Sequence, residues 1–134
     1  MNDLEANKAV VREFLAAVGL ADKERVSTVL HSDCRAVATG TCALSGERDR
    51  ASVLSTVDML GKATQNGIAF SVISMTAEDD RVSAEVEGRS ILTNGKPYNN
   101  QYHFLFHIRD GSITELKEYF CTKLVEDVLM NAAH

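Results

Sequence analysis

The second half of the chain is organised by three turn signals. Four segments, 68–76, 82–92, 98–108 and 113–120, are rich in β-branched and aromatic residues and are separated by Glu78-Asp79-Asp80, Asn94-Gly95 and Asp110-Gly111. Asn-Gly and Asp-Gly supply the positive φ angles of tight hairpins, so the pattern predicts four strands joined as an antiparallel meander. The only proline, Pro97, follows the Asn94-Gly95 turn, where its missing N–H does little harm to a ladder.

The first half has helical periodicity. Val10, Val11, Phe14, Leu15 and Val18 recur on one face of a helix over about 4–18, with Asn2 or Asp3 as N-cap and Gly19 as stop. A second helix starts at Asp22 and buries Val26, Val29 and Leu30. A third starts near Asp49, carries Val53, Leu54, Val57 and Leu60, and stops at Gly61. Between the second and third, 34–38 reads as a short strand and 39–48 as a polar loop. Thr122 can cap a last helix with Leu124, Val125, Val128 and Leu129 on its apolar side. Helices, then a meander, then one helix define an α+β domain spanning 1–134, and helices laid on one concave sheet leave a cavity between the layers.

The chain of 134 residues, 45% hydrophobic and 25% charged, is long enough to bury a core without metals or disulfides. A net charge of -5 without a basic run argues against nucleic acid and anionic membrane as partners. The acidic start Met1-Asn2-Asp3-Leu4-Glu5 lacks the features of a secretory signal, and no apolar run approaches the roughly 20 residues of a membrane span. Cys34, Cys42 and Cys121 are odd in number and scattered, which suits reduced thiols in a cytoplasmic protein, and none has metal-ligand spacing with a histidine.

One residue breaks the apolar logic. On a strand over 113–120, Leu116, Glu118 and Phe120 point to the same face. Burying a carboxylate costs several kcal/mol unless it is paired or neutralised, and its pKa rises toward the range of a proton-transfer group. Glu118 is therefore either a pocket acid or half of a buried ion pair with Arg89 or Lys117. Glu85, Glu87 and Arg89 share one strand face; if that face is concave, Glu87 forms a carboxylate pair with Glu118, whereas the alternative puts Val82, Ala84 and Val86 on the core. Asn100, Tyr102, Phe104, Phe106 and Ile108 form another stripe, with Asn100 and Tyr102 placed to orient a ligand. His103 and His107 lie opposite; His103 becomes an alternative proton carrier if a bulge reverses the register. His31 fits the end of the second helix. Cys121 reads as packing and Tyr119 as a surface or dimer contact.

The segments Glu85-Val86-Glu87-Gly88-Arg89, Asn94-Gly95-Lys96-Pro97-Tyr98-Asn99-Asn100-Gln101-Tyr102-His103-Phe104, Arg109-Asp110-Gly111-Ser112-Ile113 and Lys117-Glu118-Tyr119-Phe120 together resemble the SnoaL-like, ketosteroid-isomerase-related branch of the nuclear transport factor 2-like superfamily. The resemblance implies a conical, curved antiparallel sheet covered by N-terminal helices, a cystatin-like α+β roll, and commonly a homodimer. It implies isomerases, polyketide cyclases, epoxide hydrolases and dehydratases as relatives, along with domains that lack catalysis. The tyrosine of ketosteroid isomerases falls on Phe14, their base aspartate on or near Ala38, and their acidic oxyanion donor on Tyr102 or His103. The two aspartates of limonene-epoxide hydrolase fall on Glu87 and Glu118, but its arginine falls on Glu85. The general acid of phenazine-biosynthesis proteins matches Glu118, and the base of SnoaL cyclases falls near Cys121. Neither ketosteroid isomerisation nor limonene-epoxide hydrolysis is expected intact.

The resulting expectation is an acid-base enzyme needing no metal or organic cofactor and acting on a hydrophobic oxygenated small molecule. Glu118 moves the proton, Glu87 tunes it, and Arg89, Asn100, Tyr102, Phe14 and Phe120 hold the substrate. The rival expectation is a noncatalytic ligand-binding or dimeric association module of the same fold.

Overall fold

A computed structural model describes residues 3–130 of the chain. Three helices begin where an aspartate can satisfy an orphaned backbone N–H. Helix α1 (Leu4–Gly19) starts after Asp3, whose carboxylate accepts from Ala6 N at 3.0 Å. The other candidate cap, Asn2, lies outside the described residues. Helix α2 (Lys23–Val29) is capped by Asp22, which accepts from Arg25 N at 3.1 Å. Helix α3 (Arg50–Ala63) is capped by Asp49, which accepts from Ser52 N at 2.9 Å. Gly61 does not stop α3. It lies inside the last turn, where a Cβ would come within 2.9 Å of Ala21 Cβ, so the glycine serves close packing rather than termination.

Six strands, β1 (Leu30–Ala38), β2 (Gly46–Asp49), β3 (Ala69–Glu78), β4 (Arg81–Ile91), β5 (Pro97–Arg109) and β6 (Ser112–Phe120), form one curved sheet in the order β2-β1-β6-β5-β4-β3. The meander β3 to β6 is antiparallel, with Asp79, Gly95, Asp110 and Gly111 at positive φ in its turns. The sheet as a whole is mixed, not antiparallel: β1 runs parallel to β6, with Ala36 beside Leu116 and Ala38 beside Glu118. Strand β1 also starts earlier than expected, so Leu30 is buried in the strand and His31 leaves the helix end; its Nδ1 accepts from Asp33 N at 3.0 Å. The region read as a polar loop contains β2, which is too short and exposed to show alternation.

The inner face of the sheet packs against α1 and α3. On β4 it carries Val82, Ala84, Val86, Gly88 and Ser90, all buried, while Glu85, Glu87 and Arg89 are exposed on the outer face. This overturns the expected Glu87–Glu118 pair. Helix α1 covers the inner face, and turning three charged side chains into that contact would bury them without partners. Gly88 makes room for aromatic rings: a Cβ there would lie 3.0 Å from Tyr102 and 3.2 Å from Phe70. Phe14 of α1 meets Phe106 edge to face at 5.6 Å, and Tyr102 stacks on Phe104 at 5.3 Å.

The chain then leaves β6 into a short helix, α4 (Thr122–Leu124), that continues in wider π-type turns over Val125–Met130. Thr122 is the first helical residue, not the cap; Cys121 takes the cap position without a side-chain hydrogen bond. Val125 and Leu129 pack with Leu92 and Tyr98 in a second apolar cluster that closes one end of the sheet.

Gly67 carries the tightest backbone approach. Its φ is +73°, its carbonyl accepts from Ser90 Oγ at 2.7 Å, and a Cβ would collide with Gly19 O. Gly67→Ala is expected to lose at least ~2 kcal/mol of unfolding free energy, whereas Gly95→Ala, with positive φ but open space around it, loses about 1 kcal/mol. Urea titration of both variants checks the contrast; equal losses would remove the packing explanation.

Candidate active site

The helices and the inner face of the sheet enclose a cavity of about 100 Å³. Phe14, Val57, Phe70, Phe104, Leu116 and Phe120 are part of its apolar wall. The polar side chains of the lining are Arg48, Thr56, Tyr98, Tyr102 and Glu118.

Glu118 reaches the cavity by strand alternation, together with Leu116 and Phe120. Its backbone is pinned from β1: Glu118 O accepts from Thr39 N at 3.1 Å and from Thr39 Oγ1 at 2.9 Å. Its carboxylate has no hydrogen-bond or ion-pair partner among the described residues. Neither expected counter-ion is available, since Lys117 pairs with Glu115 at 3.6 Å and Arg89 lies on the outer face. Desolvation by the apolar walls pushes the half-buried Glu118 carboxyl up to about 7, with the positive charge of Arg48 drawing it partly back.

Tyr98 forms the second polar feature. Asn100 is 2% exposed, and its Nδ2 donates to the Tyr98 hydroxyl oxygen at 2.9 Å and to Cys121 O at 3.2 Å. Asn100 Oδ1 accepts from Cys121 N at 3.3 Å. Asn100 therefore does not line the cavity; it clamps the end of β6 to β5 and orients Tyr98. Tyr102 lies close enough to Tyr98 for the two phenols to influence each other's ionisation. With the Asn100 amide donating to its oxygen, the Tyr98 hydroxyl keeps its own hydrogen to donate. Burial raises both phenols further above their ordinary range, so both stay neutral O–H groups.

Other expected site residues fall as follows. Phe14 and Phe120 line the cavity, and so does Ala38. His103 is exposed on the outer face and hydrogen-bonds Ser83 Oγ. The β4–β5 register runs unbroken past it, and the irregularity between β5 and β6 comes only at His107 and Ile108, so no bulge turns His103 inward. His107 pairs with Asp80 at 3.3 Å. Cys34 is buried among apolar side chains, which pushes its thiol up to about 11 and leaves it unreactive. Among the described residues no group of three or more His, Cys, Asp or Glu is placed to hold a metal ion, and no helix is long and apolar enough to cross a membrane.

Among the residues that escaped the sequence reading are Tyr98 and Arg48. Tyr98 has the same strand parity as Asn100 and Tyr102 and was legible as the start of their stripe. Arg48 had no local signal: it faces inward only because β2 pairs with β1, setting Arg48 beside Ala36.

Residues 11–116 match the SnoaL-like domain family, most of the chain. The chain belongs to the SnoaL-like family. Among solved structures, this SnoaL-like protein is similar to PrhC from Penicillium brasilianum, with a TM-score of 0.85 and 16% identity over 96% of this chain and 88% of that one. It is also similar to a proposed isomerase from Bacillus subtilis, with a TM-score of 0.83 and 19% identity over 97% and 96%. A nuclear transport factor 2-like protein from Burkholderia xenovorans aligns with a TM-score of 0.74 and 20% identity over 98% of each chain. Likeness at these identities establishes the fold. No curated protein matches the sequence.

The raised carboxyl has a thermodynamic consequence. The folded state holds the Glu118 proton more tightly than the unfolded chain does, so the stability of the neutral form is fully present below pH 4.5 and is lost as pH rises through about 7. The loss amounts to roughly 2 to 3 kcal/mol, because each unit is worth about 1.4 kcal/mol and cavity water relieves part of it. Glu118→Gln, which stays neutral, is expected to gain that much relative to the parent protein between pH 4.5 and pH 8. Unfolding titrations of both proteins at the two pH values measure the difference; a pH-independent difference would show that the carboxyl is not perturbed.

Proposed function

We propose that this SnoaL-like protein is an acid-base enzyme that moves a proton on a small, largely apolar, oxygenated molecule, with Glu118 as the proton carrier. The observation that carries the reading is an unpaired carboxyl, pushed up to about 7, at the wall of an apolar cavity that the Tyr98 side chain also lines. A carboxyl titrating near neutral pH is available both as base and as acid, which is the condition for efficient general catalysis.

The chemistry follows from the two groups. The Tyr98 O–H donates to a substrate carbonyl oxygen and favours negative charge developing there, while ionised Glu118 takes a proton from the adjacent carbon. Returning that proton at another carbon gives isomerisation, and giving it to a departing hydroxyl gives dehydration. Attack of the enolate carbon on a second carbonyl gives cyclisation. Only protein groups are needed for these steps. Asn100 acts through Tyr98 as a positioning residue, and Phe14, Phe70, Tyr102 and Phe120 shape the apolar space. Glu87 and Arg89 have no part in this reading because they lie on the outer face. A cytoplasmic homodimer is part of the proposal. Support for pairing through the outer face of the sheet comes from Tyr119, 47% exposed.

The second reading, a binding module without chemistry, is favoured by Phe14 and Ala38, which put apolar groups where ketosteroid isomerases carry a hydroxyl and a carboxylate. Turnover of a panel of enolisable ketones separates the two. Glu118→Gln is expected to lower kcat/KM by at least about 100-fold, and Tyr98→Phe by about 10-fold or more. If Glu118 acts as a base, the rate rises with pH through about 7; if as an acid, it falls over the same range. Background turnover by the parent protein together with ligand binding would leave the binding module standing.

A further inference from the structure

The charge left over in the cavity belongs to Arg48. Its neighbours in sequence are both acids, and both are engaged elsewhere: Glu47 lies 3.9 Å from Arg35 on the other side of β2, and Asp49 caps α3. Arg48 itself forms one hydrogen bond, from Nη2 to Leu44 O at 2.6 Å, which ties the guanidinium to the β1–β2 loop. It has no carboxylate within ion-pairing distance among the described residues, although Glu118 lies in the same cavity and feels its charge. A guanidinium brought to an apolar wall without a counter-ion is unfavourable, and its remaining N–H donors match the two oxygens of a carboxylate.

We infer that the cavity is built for an amphiphilic acid: a small molecule whose apolar body fills the aromatic wall and whose anionic oxygen group is held by Arg48. The inference rests on the proposed site and narrows its substrate class from oxygenated molecules in general to organic anions, carboxylates in particular. The other groups facing Arg48 across the cavity are Glu118 from β6 and Tyr98 and Tyr102 from β5; α3 contributes Thr56, and β1 contributes no titratable side chain. Cys42 of the β1–β2 loop lies near Tyr98. Among the residues lining the cavity, Glu118, pushed up to about 7, changes charge near neutral pH. While protonated, it leaves the cavity with one net positive charge; once ionised, it places a like charge in the same low-dielectric space as the bound anion. Anion affinity therefore falls as pH rises through neutrality, whereas binding of a neutral isostere does not.

Calorimetric titration with hexanoate, hexanamide and hexylammonium tests this directly, since hexanoate is ionised throughout the range used. At pH 6 the parent protein is expected to bind hexanoate about 10-fold tighter than hexanamide, the scale of one charge-assisted contact, and hexylammonium weakest of the three. At pH 8.5 the preference for hexanoate shrinks at least 3-fold. Arg48→Met abolishes the preference while hexanamide binding stays within 2-fold, and Glu118→Gln keeps the preference but removes its pH dependence. Equal binding of the acid and the amide by the parent protein overturns the inference, whether or not Arg48→Met folds. So does an unchanged pH dependence in Glu118→Gln. Because the readout is binding of inert probes, the preference stands or falls separately from turnover: a protein that selects hexanoate yet converts no ketone keeps the anion site and loses the proposed enzyme.

Discussion

The pairing of β5 with β6, Phe104 opposite Glu118 and Phe106 opposite Leu116, is the constraint on which the site depends. Side chains alternate along both strands, so a slip of one residue would turn Glu118 and Phe120 to the outer face and bring Lys117 and Tyr119 inward. Two contacts oppose that slip. Asn100 holds both the N–H and the C=O of Cys121, and Thr39 holds the carbonyl of Glu118 from the other side. The first of these contacts also aims the Tyr98 hydroxyl. One buried amide thus couples the register of the sheet to the direction of the donor in the cavity.

The electrostatics of the cavity follow from its walls. Apolar side chains and aromatic rings around the half-buried Glu118 favour its neutral form, and Arg48 is close enough to soften the effect without pairing with it. A direct ion pair would have held the carboxyl ionised and closed the site to proton transfer near neutral pH. Separation of the two charges leaves neither neutralised by the other. Holding Glu118 there carries a pH-dependent loss of stability.

Much of this was legible locally. Asp3, Asp22 and Asp49 announce their helices because a cap acts within three residues, and Asn94-Gly95 and Asp110-Gly111 announce hairpins because a turn needs positive φ at its own residues. Glu118 stood out because Leu116 and Phe120 flank it on one face. The inner face of β4 was ambiguous in one dimension. Charged and small apolar residues alternate there, and only the packing of α1 over Val82, Ala84 and Val86 sends Glu87 outward.

By itself, then, the sequence determined the three leading helices, the four-stranded meander and the presence of a carboxylate in an apolar stripe, since those follow from interactions between residues near one another in the chain. Tertiary structure alone decided that β1 lies parallel to β6, that β2 carries Arg48 to the cavity, and that Asn100 aims Tyr98 instead of touching a ligand. The companions of Glu118 were hidden for one physical reason. They reach the cavity through pairings between strands far apart in sequence, and no local propensity or spacing encodes such a contact.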